Sequence, residues 1–238
     1  MRHNFIVIEG NIGSGKTSLS TKLSAEFDTR LILEEFSNNP FLEKFYEDSD
    51  RFAFQAELAF LAKRYQQLRQ IVTQTELFHT ATISDYLFYK SMIFARSNLP
   101  EDEYQLYTHL FNIIYTTVPK PDLVVYLYLS IDNLMKNIKK RGRSYEQEIT
   151  ADYLLNIQNS YFEFFNQQKD LKVLVIDTNR LDFVNRPEDY AKMVEHISRD
   201  YPVGIHRILG WVFHNYSMIN GFSESFDYWK ESLCLHPN

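Results

Sequence analysis

Residues 5–9, Phe-Ile-Val-Ile-Glu, run without a break into Gly10-Asn11-Ile12-Gly13-Ser14-Gly15-Lys16-Thr17. An apolar run that stops at a glycine reads as a buried strand. The eight residues after it satisfy G-x-x-x-x-G-K-[ST] at each fixed position, the pattern of a phosphate-binding loop. Glycines let backbone N–H groups turn inward and come close to a phosphate, which a Cβ would obstruct. The spacing lets Lys16 reach the terminal phosphates and sets the Thr17 hydroxyl to bind Mg²⁺. Residues 17–26 then read as a helix whose positive N-terminus completes an anion site. The alternative is a merely glycine-rich strand-to-helix turn, and the flanking strand and helix argue against it. This junction predicts a nucleoside triphosphate site.

The remaining bounds come from composition. A chain of 238 residues with 45% hydrophobic residues can bury one substantial α/β core and is not a disordered chain. Its formal charge of −6 argues against a nucleic-acid polymer as partner, while leaving room for a small anion held by a few local cations. Cys234 is the one cysteine, so no internal disulfide is expected and a cytoplasmic setting fits. Residues 1–9 lack a signal-peptide pattern, and no apolar run has the length of a membrane span, so no membrane association is expected.

Four more apolar runs, 31–34, 80–84, 122–129 and 171–177, read as strands covered on both faces. Helical patterns lie between them at about 50–75, 88–97, 101–118, 132–141, 150–167 and 187–200. The longest repeats Phe54, Leu58, Leu61, Tyr65, Leu68 and Val72 at spacings of four and three. Such alternation predicts a doubly wound, five-stranded parallel sheet with helices on both faces and its ligand at the carboxyl ends of the strands. One domain over 1–206 is expected. The tail 207–238 is rich in aromatic residues without clean periodicity, and its role is left open.

Phosphoryl transfer needs a group that handles the acceptor's proton, support for Mg²⁺ and cations around the transferred group. Glu34 and Glu35, at the end of the second expected strand, fit the first need, although paired acids at a helix start also occur simply solvated. Asp85, after the third expected strand, fits the metal and substrate side, or else caps a helix. In Lys139-Lys140-Arg141-Gly142-Arg143 the cations either favour a helix C-terminus or, through Arg141 and Arg143 astride a glycine, form a clamp on a triphosphate. Glu57 and Arg64 share one face of the long helix and are candidates for a pocket.

These segments together resemble the deoxyribonucleoside kinases of the deoxycytidine and deoxyguanosine kinase type. The resemblance spans 5–183. It rests on the phosphate loop, on Glu34-Glu35-Phe36-Ser37-Asn38-Asn39-Pro40-Phe41-Leu42 with Phe45-Tyr46, and on Arg141-Gly142-Arg143-Ser144-Tyr145-Glu146-Gln147. The bacterial subgroup with Asn-Pro-Phe-Leu and Phe-Tyr is the most similar. The resemblance implies a P-loop kinase fold with an arginine-bearing lid, ATP as donor, Mg²⁺, a deoxyribonucleoside acceptor and a homodimer. For the dimer, the aromatic helices at 88–97 and 104–118 are candidate interfaces. It implies Glu34 as base for the 5′-hydroxyl, with Glu35 the fallback. Tyr46 and Glu146 would hold the sugar 3′-hydroxyl, Arg64 would line the base pocket, and Arg141 and Arg143 would grip the donor phosphates. Residues 177–183, with Arg180 and Phe183, resemble the loop that holds the donor's adenine.

Two departures stand out. Eleven residues after Tyr46 the family usually carries glutamine, and this chain carries Glu57. After the third strand it usually reads Asp/Glu-Arg-Ser, and this chain reads Asp85-Tyr86-Leu87, with Lys90 one turn further on able to restore the lost charge. An ionised Glu57 offers only acceptors and suits the paired N–H donors of guanine, whereas a protonated one suits adenine. Burial beside Phe54 and Phe60 favours the protonated form and Arg64 the ionised one, so chemistry alone leaves the base open. Resemblance to the bacterial subgroup, which handles deoxyadenosine and deoxyguanosine, implies a purine, deoxyguanosine or deoxyadenosine. The rival readings are a nucleoside monophosphate kinase of the thymidylate-kinase type, whose anionic acceptor calls for arginines and not Glu34 and Glu57, and a non-catalytic nucleotide-binding regulator, which has no need of Tyr46 and Glu146.

Overall fold

A computed structural model describes residues 2–35, 39–73, 81–143 and 146–208. Phe36, Ser37, Asn38, Ser144, Tyr145, Thr80 and the tail from Leu209 onward lie outside the described residues. The chain order is β1 (Phe5–Gly10), α1 (Lys16–Phe27), β2 (Arg30–Ile32), α2 (Leu42–Glu47), α3 (Ser49–Thr73), β3 (Thr82–Ser84), α4 (Lys90–Asn98) and α5 (Glu101–Tyr115). It continues with β4 (Leu123–Tyr128), α6 (Ile131–Arg141), α7 (Ala151–Gln167), β5 (Lys172–Asp177), α8 (Pro187–Ile197) and β6 (Gly204–Ile208).

The strands form one sheet in the order β2-β3-β1-β4-β5-β6, with every pairing parallel. Because strand side chains alternate, β1 feeds both faces. Phe5 and Val7 join a core with Leu61, Leu68, Met92, Phe111, Tyr161 and Phe165 from α3, α4, α5 and α7. Ile6 and Ile8 join Leu19 and Leu23 of α1 and Met193 and Ile197 of α8 on the other face. Continuous apolar sequence in β1 and β4 follows directly from this double cover.

β1 pairs with β3 on one side and β4 on the other, so the crossovers leave it in opposite directions and a crevice opens at its carboxyl end. The phosphate loop, the segment after β2 and the segment after β3 all emerge there.

Six strands stand where five were expected. β6 has no continuous apolar run: Ile205 and Ile208 flank His206 and Arg207, and among the described residues it pairs with β5 alone, as suits an edge strand. It also runs past position 206, where the domain was expected to end. α2 was not expected either, and its six residues are too short to show a helical period. β2 closes at Ile32, so Glu34 and Glu35 sit on the loop beyond it and not within the strand.

Candidate active site

The loop after β1 has the shape of an anion cradle. Gly15 precedes α1 at φ 92°, a left-handed conformation, and a Cβ placed there would lie 2.9 Å from the Phe183 ring. Glycine is required on both counts. Ser14 is buried, and its N–H donates to the Asn11 carbonyl at 3.2 Å. The Asn11 side chain braces the turn by donating to the Leu154 carbonyl and accepting from the Ile12 N–H. Asn137 of α6 donates to the Gly13 carbonyl. Lys16 is folded back, donating to the carbonyls of Gly10 and Asn11 at 2.8 and 3.0 Å. Burial and then the nearby Lys90 pull its pKa down to about 8, against the opposing pull of Glu9, Glu34 and Asp85.

Thr17 and Asp85 meet across the crevice, the hydroxyl donating to Asp85 Oδ2 at 2.5 Å. The other Asp85 oxygen accepts from the Glu34 backbone N–H at 2.7 Å, so one carboxylate links the phosphate loop to the loop after β2. Burial raises the Asp85 pKa, as does Glu34, while the bonds to Thr17 and Glu34 oppose the rise.

Glu34 is the charge centre of the cavity. Oε1 accepts from Arg64 Nε at 2.9 Å and Nη2 at 2.6 Å, and Oε2 accepts from Lys90 Nζ at 2.6 Å. Burial alone would raise its pKa, but Lys90 and Arg64 overcome that and hold it far below the usual carboxylate range. Arg64 is fixed further by Ser91, to which it donates at 2.8 Å. Lys90, buried and five residues beyond Asp85, brings a second cation to Glu34. Tyr86, next to Asp85, is buried with its hydroxyl near Gln67. Glu35 points away, paired with Lys63 at 2.9 Å and Gln67 at 3.1 Å. Of the two acids, Glu34 lines the cavity and Glu35 turns to Lys63 and Gln67.

The same cavity is lined by Ile12, Gly13, Lys16, Thr17, Tyr46, Glu57, Phe60, Phe94, Arg141, Arg143, Glu146 and Tyr153. Glu57 is buried, and Oε1 accepts from the Asn98 side-chain amide at 2.7 Å. Burial raises the Glu57 pKa to about 7, although Arg64 and the Asn98 bond oppose the rise.

At the end of α6, Gly142 adopts φ 69° and closes the helix in the left-handed conformation open to glycine. Arg141 and Arg143 on either side of it both turn to Glu146. Arg141 donates to Oε2 at 3.0 and 2.6 Å, and Arg143 donates to Oε1 at 3.1 Å. Tyr46 lines the cavity from α2. Phe183 lies under Gly15 with its carbonyl bonded by Lys22, whereas Arg180 is exposed at the loop surface.

Three participants escaped the sequence reading. Asn98 and Tyr153 reach the cavity only through tertiary packing, from the ends of α4 and α7. Glu9 had a visible signal, an acid closing an apolar strand. It is fully buried, accepting from the N–H of Gly10 at 3.0 Å and of Leu87 at 2.7 Å. Among the described residues no three acidic, histidine or cysteine side chains cluster as a self-contained metal cage, and no helix is long and apolar enough to cross a membrane.

The family model described as deoxynucleoside kinase matches residues 6–201 of this chain. A deoxyguanosine kinase of Bacillus subtilis is 34% identical over 197 residues, covering 81% of this chain and 95% of that protein. A deoxyadenosine kinase of Dictyostelium discoideum is 33% identical over 195 residues, covering 80% and 77%. Among solved structures, deoxyadenosine kinase from M. mycoides with bound dATP superposes with a TM-score of 0.71 at 26% identity, covering 83% of this chain and 100% of that one. A parallel sheet that delivers a phosphate loop, Glu34 and an arginine-bearing lid to one crevice agrees with these matches, and the chain belongs to the deoxynucleoside kinase family.

Proposed function

We propose that this enzyme transfers the terminal phosphoryl group of ATP, with Mg²⁺, to the 5′-hydroxyl of a purine deoxyribonucleoside, yielding the monophosphate. The observation that carries this reading is the buried, ionised Glu34, held by Arg64 and Lys90 beside the Thr17–Asp85 pair. A hydroxyl acceptor has to lose a proton, and a carboxylate already fixed at the cavity wall is an acceptor for it. A monophosphate acceptor would instead meet the Glu34 charge, which disfavours the thymidylate-kinase reading. A purely regulatory protein has no use for a proton acceptor there.

In this reading the amides of residues 10–17 and Lys16 hold the donor phosphates, and Lys16 leaves its two carbonyl partners to do so. Thr17 and Asp85 are a hydroxyl and a carboxylate oxygen already in contact, a donor set that suits Mg²⁺ shared with phosphate oxygens. The ion bound there would neutralise charge on the donor phosphates. Arg141 and Arg143 exchange Glu146 for the transferred group, and Glu146 then joins Tyr46 at the sugar 3′-hydroxyl. Phe183, with Arg180, flanks the donor base. Glu34 orients the 5′-hydroxyl and takes its proton late, since a carboxylate stabilised this strongly is a weak base, and a loose transition state asks for little proton transfer early.

The purine assignment draws on Glu57 in the cavity wall and on the relatives' substrates, deoxyguanosine and deoxyadenosine. We place the enzyme in the cytoplasm as a homodimer over a kinase domain that runs through β6 to Ile208. Leu106 and Ile113 on α5 are 53% and 71% exposed, apolar surface that a second copy would cover. A coupled assay of ATP consumption with deoxyribonucleosides, with deoxyribonucleoside monophosphates and with no acceptor tests the reading. Turnover with the nucleosides alone is expected. Turnover only with monophosphates, or none with any acceptor, overturns it.

A further inference from the structure

Glu57 and Asn98 lie 41 residues apart in sequence and meet at the wall of the cavity. One carboxyl oxygen of Glu57 accepts the Asn98 amide at 2.7 Å, and the other is buried with no hydrogen-bond partner among the described residues. A buried carboxyl oxygen left without a partner costs free energy unless a ligand completes it. Phe60 and Phe94 line the same cavity, giving apolar surface for a flat ring. We infer that Asn98 is a specificity-determining residue: by pinning one oxygen of Glu57, it fixes the other as the atom presented to the purine edge. The inference rests on the deoxyribonucleoside kinase reading and deepens it.

When the carboxyl is neutral, an amide N–H bonds its carbonyl oxygen in preference to its hydroxyl oxygen, so Asn98 keeps the bare oxygen at Oε1 and leaves any proton on Oε2. With Oε2 ionised, the pair accepts from the adjacent N–H donors of guanine. With Oε2 protonated, the pair offers one donor and one acceptor, which match adenine.

The groups around Glu57 set which form prevails. Arg64 on α3 and Lys90 on α4 favour the ionised form, and Glu34 opposes it. Tyr107 of α5 donates its hydroxyl to the Glu57 carbonyl at 3.3 Å, and Tyr153 comes from α7. Neither tyrosine carries charge near neutrality, since burial raises both phenols. Glu57 itself is raised by burial to about 7. The preference for guanine over adenine should thus grow as pH rises through neutrality, and it should depend on Asn98.

The test is the ratio of kcat/KM for deoxyguanosine to that for deoxyadenosine, measured from about pH 6 to about pH 8. Taking the ratio cancels the titration of Lys16 and every other step common to the two substrates. For the unmodified enzyme the ratio is expected to rise by at least about tenfold across that range, within the roughly hundredfold by which the ionised-to-neutral ratio of one carboxyl changes over two pH units. Glu57→Gln should flatten it. Asn98→Leu removes the donor that favours the ionised form and should move the midpoint to higher pH. Asn98→Asp, similar in size but negative, should move it further. A merely structural Asn98 would lower both kcat/KM values together and leave the midpoint in place, and that result overturns the inference, as does a wild-type ratio that does not change with pH. Absence of nucleoside phosphorylation at any pH instead sinks the kinase reading beneath it.

Discussion

Glu34 is asked to do two things that pull against each other. Its carboxylate balances two buried cations, Arg64 and Lys90, and the same oxygens face the cavity where an acceptor would bind. Replacement by glutamine keeps the shape but removes the proton acceptor and leaves those cations without a counter-charge. Turnover of Glu34→Gln is expected to fall roughly 10²–10⁴-fold. The folded state should also lose about 3–5 kcal/mol, the usual cost of breaking a buried pair from one side. Steady-state kinetics and denaturant titration report the two losses separately. Glu35→Gln, outside the cavity, should change neither by much; a turnover loss confined to Glu35→Gln would transfer the role to that residue. Lys16→Ala should lose activity with its unfolding midpoint nearly unchanged, because among the described residues Lys16 bonds the Gly10 and Asn11 carbonyls at the mouth of the crevice. At this scale the residue types were readable in sequence, but their pairing was not. Nothing in the order of the chain says that Lys90 and Arg64 converge on Glu34, or that Asn98 meets Glu57.

Among the elements, the lid at the end of α6 carries the clearest expectation. Arg141 and Arg143 now spend their guanidinium groups on Glu146, so engaging a phosphate means trading one anion for another. That exchange favours the state with the larger negative charge, which develops during transfer. Arg141→Ala and Arg143→Ala should each lower kcat by more than they raise the KM for either substrate. Single-turnover rates set against nucleoside binding by calorimetry check this, and a variant with weakened nucleoside binding but full turnover would refute the clamp. The elements most legible beforehand were those with long apolar runs or a clear helical period, such as β1, β4, β5 and α3. α2 and β6 escaped because one is a single short stretch and the other an edge strand with two polar residues in five. Their signals come from what they pack against, which a local period does not contain.

For the whole molecule, Glu57 links the site to the stability of the fold. Burial raises its pKa from the ordinary 4.5 to about 7, so the folded protein holds a proton more tightly than the unfolded chain does. Stability from this group is therefore full below about pH 4.5 and is lost as pH rises toward 7 and beyond. The loss approaches up to about 3 kcal/mol, at 1.36 kcal/mol per pKa unit. Glu57→Gln, which never ionises, should melt higher than the wild type at pH 8, by roughly 5–10 °C for a chain of this size, and show little advantage near pH 5. Melting curves of both proteins across that range decide it; a constant offset at all pH values would mean the acid is not titrating in the fold.

Glu9 ties the phosphate loop and the segment after β3 into a single piece. One buried carboxylate receives the first amide of the phosphate loop and the Leu87 amide, three residues before Lys90. Drawing the two segments apart would strand two N–H groups in a dry interior. The span between the phosphate loop and the segment leading to Lys90 therefore works like a gauge block, its width set by the length of a single side chain.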